Sequence, residues 1–562
     1  MNKIKRIVLI SLIGLIGPIS SVFAAPARPV TQTITLADGT VVENARLQGD
    51  EHFHYWTTPD GQFISADMQR MKQQEVESER QRAQIVGMQH MPNVKNFAPR
   101  GLVILADFQD VHFRAENTLA EMDSMLNGDT TRYFTSYGSA KQYFHDQSHG
   151  QYTPVFDVIG PVQLPDSLKY YGHNRSNRRG SDDKAPDMVL KACSIASQID
   201  GVDLSLYDND NDGNLDLVFV IYAGYGESDS GVDTLVWPAS WTMTNAVRGG
   251  YTSLPTNAPA SDFTFQGKKI HYYAYSCELN YFNTIRVPTP GYDDNHPLRA
   301  GIGLFCHEFG HVIGLPDYYD TNNGTNYDEF LTPGNWDVMD VGLYNTDGYI
   351  PAAYSAHERW WMGWDEPTLL NDSANVTLQA DHLSACYITR DGNEALSTTQ
   401  DTIYYLENRQ QTGWDSGVPG HGLLVLRVVF NNSIWSANTP NNTAYKPRYI
   451  HIPADGTYTW SRTTGLQGDD GDPFPGSANV TSFTPFPNYP LTDITEENGE
   501  ISFKFMGGTQ GTDLLPEVTA EEKTVAVFSI TGAFMGNSLK GLPAGAYIIR
   551  KNTGKTEKTI LR

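Results

Sequence analysis

The chain has 562 residues, which is too many for one hydrophobic core and predicts two to four domains. Its formal net charge of −25 at pH 7 argues against nucleic acid and anionic membranes as partners. Four widely spaced cysteines leave two disulfides and free buried thiols as alternatives. Without a CxxC pair they do not predict a structural zinc site.

The chain begins with the pattern of a signal peptide, residues 1–24. A basic start precedes an apolar run at 7–19, and small residues predict cleavage after Ala24. The run is too short to span a bilayer comfortably, and no later segment has the apolar length of a membrane helix. The pattern therefore predicts export through the secretion machinery, an extracellular or cell-surface location and no transmembrane anchor.

Residues 25–96 are predicted to form a propeptide. As far as about residue 65 the sequence alternates apolar and polar residues around two Asp-Gly pairs, which predicts a small β unit with hairpin turns. Residues 66–84 are polar on nearly all sides and rich in helix formers, so they predict a solvated linker helix.

Residues 97–366 are predicted to form a catalytic domain of mixed strands and helices. Strands are predicted at 101–108, 154–158 and 215–223, with a sheet-edge strand at 269–276. Helices are predicted at 139–145, 185–199 and 352–362. The edge strand, near 272–276, is a candidate for pairing with a substrate strand.

A run of carboxylates precedes the strand predicted at 215–223. It reads DxDxDGxxD and contains Asp208, Asp210, Asp212 and Asp216, which is the first part of a calcium loop. The twelfth position is Phe219 where an EF-hand has Glu, and a strand follows instead of a helix. The pattern therefore predicts a structural calcium loop on another scaffold, and the alternative is a solvated acidic turn.

The most specific pattern is HExxHxxGxxD, which begins at His307. Two histidines four residues apart on a helix, His307 and His311, can reach one metal. Glu308 can hydrogen-bond a water on that metal. Gly314 can adopt a positive φ that turns the chain back, so that Asp317 supplies a third ligand. Three protein ligands leave one position open, as a catalytic zinc needs. The alternative is a buried helix whose histidines bond to backbone carbonyls.

This motif resembles the metzincin metallopeptidases and, within them, the immune inhibitor A-like family, where Asp replaces the usual third His. The run LPDYYD at 315–320 is also typical of that family, which carries calcium sites as well. Met339, in the sequence NWDVMD, resembles the methionine turn below the zinc site of metzincins. Some metzincins place a metal-reaching tyrosine two residues later, where this chain has Val341, so no tyrosine is assigned to the transition state. The resemblance covers roughly residues 100–507 and implies a metzincin-like protease domain.

Residues 367–507 are rich in strand patterns and in Gly, Pro and Asn turns, which predict an appended β-sandwich. Its strands include 404–408, 422–430 and 501–505. Residues 508–562 are predicted to form a linker and a small β tail. The tail has a Gly-x-Tyr-Ile-Ile run and a basic end, and it resembles the sorting domain of type IX secretion; the alternative is a β-hairpin that packs on the sandwich. The predicted fold class of the whole chain is α+β.

These patterns together predict a secreted zinc-dependent endopeptidase that is made as a zymogen and acts on proteins or peptides. His307, His311 and Asp317 hold one zinc ion. Glu308 takes a proton from the zinc-bound water as this water attacks the scissile carbonyl, and passes the proton to the leaving amine. One alternative is a calcium-stabilised surface adhesin or an inactive protease-fold binding protein, against which the intact motif argues. Another is a zinc hydrolase that acts on something other than peptide.

A device for latency is also predicted. A cysteine switch is excluded because no cysteine precedes Cys193. The run LQGD at 47–50 resembles the element by which astacin-type metzincins place a propeptide aspartate on the zinc, with Leu in place of Phe. Asp50 would then fill the open coordination position, and His52 or His54 could do the same. The alternative is a plain turn between two strands.

Overall fold

The computed structural model describes most of the chain in separate segments. They are 23–29, 31–36, 39–50, 54–64, 99–128, 137–175, 182–281, 299–321, 331–381, 384–392, 402–459, 467–508, 524–529, 534–536, 539, 542–543, 545–551 and 556–561.

The described residues form several sheets and few, short helices. The strands are β1 (Phe23–Ala24), β2 (Thr31–Thr35), β3 (Val41–Gly49), β4 (His54–Thr57), β5 (Arg100–Asp107), β6 (Val155–Gln163), β7 (Asn214–Leu215), β8 (Val218–Tyr225), β9 (Ala239–Thr242), β10 (Thr264–Phe265), β11 (Lys268–Ile270), β12 (Tyr272–Leu279), β13 (Thr368–Leu369), β14 (Ala374–Leu378), β15 (Ala385–Thr389), β16 (Thr402–Arg409), β17 (Gly422–Val429), β18 (Tyr449–His451), β19 (Leu491–Glu497), β20 (Glu500–Phe505), β21 (Thr524–Ser529), β22 (Phe534–Gly536), β23 (Gly545–Lys551) and β24 (Thr556–Leu561).

The α-helices are α1 (Leu119–Asn127), α2 (Ala140–Gln147), α3 (Leu168–Gly172), α4 (Ala185–Ala196), α5 (Glu227–Ser230), α6 (Met243–Arg248), α7 (Gly303–Val312), α8 (Ala356–Trp361) and α9 (Asn432–Ser436). Short 3₁₀ segments lie at Leu204–Tyr207, Ala260–Phe263, Gly334–Trp336, Val341–Gly348 and Gly413–Asp415. This mixture agrees with the α+β class expected from the sequence.

A six-stranded mixed sheet forms the centre of the region predicted to be catalytic, in the order β1-β9-β12-β8-β5-β6. The strands from β12 to β6 are parallel to their neighbours, whereas β9 runs antiparallel to β12 and β1 antiparallel to β9. Residues 102–106 of β5 are completely buried, which explains why this strand is a continuous apolar run with no alternation.

The prediction that residues 269–276 form a sheet edge is wrong. β12 lies inside the sheet, paired with β8 on one side and with β9 on the other, where Tyr273 stands opposite Trp241. β9 is only four residues long and ends where α6 begins, so it is too short to show a strand pattern in the sequence. β9 is therefore the strand that separates β12 from the edge, and β1 extends the sheet beyond it.

The zinc-motif helix α7 packs against this sheet, with all of its residues buried. The ring of Phe305 lies 4.3 Å from that of Phe219, and the ring of Phe309 lies 4.9 Å from that of Phe144, between centroids. Residues two positions apart lie about 200° apart around a helix. The two phenylalanines therefore turn His307, and His311 one turn later, away from this aromatic cluster.

Local capping explains where the predicted helices begin. Ser139 accepts a hydrogen bond from the backbone of Gln142 and caps α2. Ser355 and Glu358 form a capping box at the start of α8. The helix predicted at 185–199 is α4, with proline in its first turn.

The five-stranded sheet of the β-rich domain has the order β13-β15-β16-β17-β18, and a three-stranded sheet has the order β14-β20-β19. One face of the larger sheet joins the core of the catalytic domain through Tyr387, Ile403, Tyr405, Leu426 and Val428. The other face packs in a common core with the smaller sheet through Cys386, Ile388, Leu406, Leu423 and Val425. The larger sheet therefore lies between the core of the region predicted to be catalytic and the smaller sheet, because successive side chains along its strands point to opposite faces.

The predicted β unit of the propeptide is the sheet β2-β3-β4, and the tail forms a sheet in the order β22-β21-β23-β24. The linker helix predicted at 66–84 lies outside the described residues. All four cysteines are buried and unbonded, as in the free-thiol alternative. Within the described segments, no helix combines the length and apolar character needed to cross a membrane.

Candidate metal centre

Two histidines of α7 direct their Nε2 atoms toward one point. His307 Nδ1 lies 2.9 Å from the carbonyl oxygen of Val338, and His311 Nδ1 lies 2.8 Å from that of Leu315. A carbonyl can only accept, so each Nδ1 carries the proton and each Nε2 presents a lone pair. The two Nε2 atoms are only 3.1 Å apart. Two facing lone pairs at this distance call for a cation between them.

Asp317 completes the set of converging atoms. Its Oδ1 lies 3.3 Å from His307 Nε2 and 3.1 Å from His311 Nε2. Gly314 has a φ of +104°, which ends the helix and returns the chain toward it, as the sequence predicted. Two imidazole nitrogens and one carboxylate oxygen, all buried, fit a zinc ion and leave a coordination position open.

The charge states of these side chains also fit a metal. Burial lowers the pKa of His307, which keeps its imidazole neutral. Burial raises the pKa of Asp317, but positive charge on the adjacent His311 and His307, or on a metal ion in its place, outweighs this effect and holds it below its usual range. Neutral histidines and an ionised carboxylate are the forms that bind metal ions.

Asn438, which follows strand β17, orients the third candidate ligand, Asp317. Its Nδ2 donates to Asp317 Oδ2, and its Oδ1 accepts from the backbone N–H of Asp317, both at 2.6 Å. This pair leaves Oδ1 of the carboxylate directed toward the histidines. No pattern in the sequence pointed to Asn438, because the two residues are 121 positions apart.

Met339 packs directly under α7. A Cβ atom at Gly310, between the two histidines, would come within 2.7 Å of the Met339 sulfur. Gly310 therefore allows the thioether to approach the helix backbone closely, and the carbonyl of Met339 accepts from the N–H of Tyr318. Met339 therefore lies directly beneath the helix that carries the two histidines.

The N-terminal segment lies beside these residues. β1 pairs with β9, with Ala24 opposite Ala239. The backbone N–H of Ala25 donates to Glu308 Oε1 at 2.9 Å and also contacts the carbonyl of Pro238 at 3.2 Å. The chain thus presents a peptide bond of its own to the glutamate of the zinc motif.

Tyr319 contacts the same peptide bond from its other end. Its hydroxyl donates to the carbonyl of Ala24, and the indole N–H of Trp237 donates to the carbonyl of Ala25 at 2.7 Å. Sequence reasoning assigned no role to either side chain. Tyr319 lies in the LPDYYD run, but only the fold brings it to a residue 295 positions away.

The residues predicted to block the metal site in the zymogen lie outside the cluster of metal-ligating atoms where the structure describes them. Asp50 is buried and interacts electrostatically with Tyr319, but it is not part of the three-residue cluster of metal-ligating atoms. His54 pairs with Glu227, at 2.9 Å, and stacks on Trp237. His52 lies outside the described residues.

A second group of carboxylates lies at the predicted calcium loop. Oxygen atoms of Asp208, Asp210 and Asp212 lie within 4.8 Å of one another. Asp216 instead accepts from the backbone and side-chain amides of Asn209 at 2.8 and 2.6 Å, and burial raises its pKa. Lys268 forms an ion pair with Asp208. The structure thus brings three of the four predicted ligands together and holds the fourth by hydrogen bonds.

Two buried acids, Asp337 and Glu358, lie near Met339. Asp337 accepts hydrogen bonds from the Tyr449 hydroxyl and the Met339 N–H, both at 2.7 Å. Burial raises its pKa to about 7. Burial also raises the pKa of the neighbouring Glu358, which caps α8, and Asp337 raises it further.

The chain is similar to known metallopeptidases. Residues 100–365 match the sequence model of the family described as immune inhibitor A peptidase M6, catalytic domain. Immune inhibitor A of Bacillus thuringiensis subsp. alesti is 28% identical over 261 residues, which are 42% of this chain and 33% of that protein. This confirms the resemblance predicted from the zinc motif.

Another relative is the pre-pro-metalloprotease PrtV of Vibrio cholerae serotype O1, strain M66-2. It is 24% identical over 295 residues, which are 46% of this chain and 29% of that protein. The chain therefore spans about a third or less of the length of the curated relatives that it matches.

Proposed function

We propose that this chain, whose residues 100–365 match the catalytic domain of the immune inhibitor A peptidase family, is a secreted zinc-dependent endopeptidase that hydrolyses peptide bonds in proteins. One observation carries the proposal. The bond between Ala24 and Ala25 lies between the Tyr319 hydroxyl and the Glu308 carboxylate, beside three converging metal-ligating atoms. Acid–base groups at both ends of a peptide bond are what its hydrolysis requires.

The roles of the residues follow from these contacts. When held by His307, His311 and Asp317, zinc would polarise the substrate carbonyl and lower the pKa of the attacking water. Glu308 takes a proton from that water and donates it to the leaving amine, for which the nitrogen of Ala25 stands. Tyr319 donates to the scissile carbonyl oxygen, and this bond strengthens as negative charge develops there.

The substrate is proposed to bind as β1 does. Ala24 pairs antiparallel with β9, so backbone hydrogen bonds to that strand would orient any extended polypeptide with its cleaved bond at Glu308. β9 thus replaces β12 as the proposed substrate-binding strand. Because these contacts involve the peptide backbone, they support a protein substrate over a small non-peptide one.

Residues 25–96 are proposed to keep the enzyme latent. The segment from Ala24 to Arg28 lies against β9, and its Ala25 N–H donates to Glu308, the proposed general base. Signal-peptide cleavage after Ala24 would turn that nitrogen into an α-amino group at the same place. Asp50 is the second candidate for the residue that blocks the site. The alternative is that Asp50 is only part of a turn between two strands.

Latency can be tested directly with the full-length Glu308→Gln protein, because this substitution prevents self-cleavage. A fluorescent hydroxamate that binds zinc should be excluded from this protein. Arg28→Ala in that background should admit the hydroxamate if the N-terminal segment is the latch, whereas Asp50→Ala should admit it if Asp50 is. Tight binding of the hydroxamate without either substitution would contradict latency.

Calcium and export complete the proposal. Asp208, Asp210 and Asp212 are proposed as a structural calcium site, with Asp216 as a supporting acid, because clustered carboxylates repel one another without a cation. The signal peptide and the sorting-like tail are proposed to direct the protein to the cell surface or the medium.

The decisive experiment compares three variants of the secreted protein, each first treated with the same added protease so that the propeptide is removed. Glu308→Gln should reduce casein cleavage at least ~10²-fold with an unchanged zinc content. Asp317→Ala should lose zinc, whereas Asp320→Ala, three residues later in the same run, should keep it. Casein cleavage at the parent rate by Glu308→Gln would overturn the mechanism. Intact casein with the parent protein would favour the alternatives of an adhesin or of a non-peptide hydrolase.

A further inference from the structure

The N-terminal segment beside Glu308 carries a basic residue, Arg28, a few residues after the peptide bond between Ala24 and Ala25. If the bond between Ala24 and Ala25 stands for the cleaved bond, Ala25 is the first residue after it and Arg28 is the fourth. The backbone N–H of Arg28 donates to the carbonyl of Ser228 at 2.8 Å, so this position is tied to the catalytic domain. The side chain at the fourth position is therefore directed by the catalytic domain itself.

Three side chains of the catalytic domain surround the Arg28 guanidinium, and we call them the acidic subsite: Asp229, Asp347 and Tyr344. Arg28 NH1 lies 3.2 Å from Asp229 Oδ2, and NH2 forms an ion pair with Asp347. The guanidinium carbon lies 5.6 Å from the centre of the Tyr344 ring, within range of a cation–π contact. Two carboxylates and a ring face match the forked, planar shape of a guanidinium.

The subsite is built to hold a cation. The Asp229 side chain is 1% exposed, whereas that of Asp347 is 33% exposed. Burial raises the pKa of Asp229 even beside Arg28. The backbone N–H of Tyr281 is a second donor to Asp229, at 3.3 Å. Departure of Arg28 would leave a buried carboxylate with much of its charge uncompensated, which is costly unless another cation takes its place.

We infer that the acidic subsite determines specificity, and that the enzyme prefers protein substrates with arginine, and next lysine, at the fourth residue after the cleaved bond. The inference rests on the proposed function, because it takes residues 24–28 as a guide to how a substrate lies. Arginine ranks first because its fork reaches both carboxylates, whereas the lysine ammonium is a single point of charge.

The test is cleavage-site profiling of a proteome-derived peptide library with the active secreted protein and its variants. Arginine at the fourth position after the cut should be enriched by about 10-fold, and Asp229→Asn and Asp347→Asn should each reduce this enrichment toward none. Asp347 is partly exposed, so its variant keeps the test valid if Asp229→Asn fails to fold. Glu227→Gln is the matched control, because Glu227 is a buried carboxylate of the same short helix but contacts His54.

The outcomes separate the inference from the proposed function. Cleavage without enrichment at the fourth position, or with enrichment that both aspartate variants retain, would overturn the inference and leave the peptidase assignment standing. The acidic subsite would then serve only to dock the propeptide. Absence of cleavage of both the library and casein would overturn the proposed function and the inference with it.

Discussion

The side chain of Asn438 forms a closed pair of hydrogen bonds with Asp317, from a different domain of the chain. Both bonds are 2.6 Å long, and they engage the backbone N–H of Asp317 and its Oδ2 while Oδ1 faces the histidines. Partners behind a metal ligand fix its orientation and raise metal affinity. A residue far along the chain therefore supports the candidate metal site, although all three candidate ligands lie between residues 307 and 317.

Asn438→Gly is expected to weaken zinc binding by about 10- to 100-fold, which competition with a chelator would measure. Glycine is the suitable replacement because Asn438 has a φ of +57°, at which alanine would be strained. Asn441→Ala is the control, because Asn441 is equally buried nearby but bonds to the carbonyls of Tyr318 and Tyr449. Equal zinc affinities of the parent and Asn438→Gly would show that Asn438 does not support the metal site.

Tyr319→Phe should lower kcat about 10²-fold, with little change in KM and with zinc retained. The hydroxyl is proposed to bond most strongly to the carbonyl oxygen in the transition state, so the loss should appear in kcat. Tyr318→Phe is a matched control, because the Tyr318 ring stacks on Tyr449 at 3.5 Å, away from the Ala24 carbonyl. Similar kcat values for the parent and Tyr319→Phe would contradict the proposed role.

Calcium should raise the melting temperature of the protein by about 5 °C at saturation, with zinc held constant. Asp210→Asn should abolish this rise, because it removes a carboxylate from a cluster of three. Asp262→Asn should preserve it, since Asp262 lies in the 3₁₀ turn next to β10 and outside the cluster. A melting temperature that is indifferent to calcium would show that the loop is a solvated acidic turn.

Asp337 is expected to make the protein less stable as the pH rises. Burial raises its pKa from 3.8 to about 7, in contact with Tyr449 and near Glu358, Asp340 and Arg409. The folded protein keeps this proton after the unfolded chain has lost it. The resulting stabilisation is complete below pH 3.8 and is lost by about pH 7.

Asp337→Asn removes this ionisation. Between pH 4 and pH 7, the free energy of unfolding of the variant should therefore rise relative to that of the parent by up to about 1.4 kcal/mol for each unit of pKa shift. Urea unfolding at both ends of this range would measure the gain. Asp372→Asn changes an exposed acid, so the free energy of unfolding of this variant should vary with pH as that of the parent does. A parallel profile for Asp337→Asn as well would show that Asp337 does not titrate in this range.

The sequence by itself determined the features that a few neighbouring residues encode. The spacing of His307 and His311 on a helix, the positive φ of Gly314 and the clustering of Asp208, Asp210 and Asp212 depend on backbone geometry within one or two turns. Three strands that follow residue 366, β16, β17 and β20, were also predictable, because each is a short run rich in apolar and β-branched residues.

Only the tertiary structure decided which distant residues meet at the metal site. Ala25 reaches Glu308 across 283 positions, Ala24 reaches Tyr319 across 295, and Asn438 reaches Asp317 across 121. These contacts depend on how whole sheets pack and on which strand lies at a sheet edge. No local periodicity records such information, because packing energy is shared among many residues of each core.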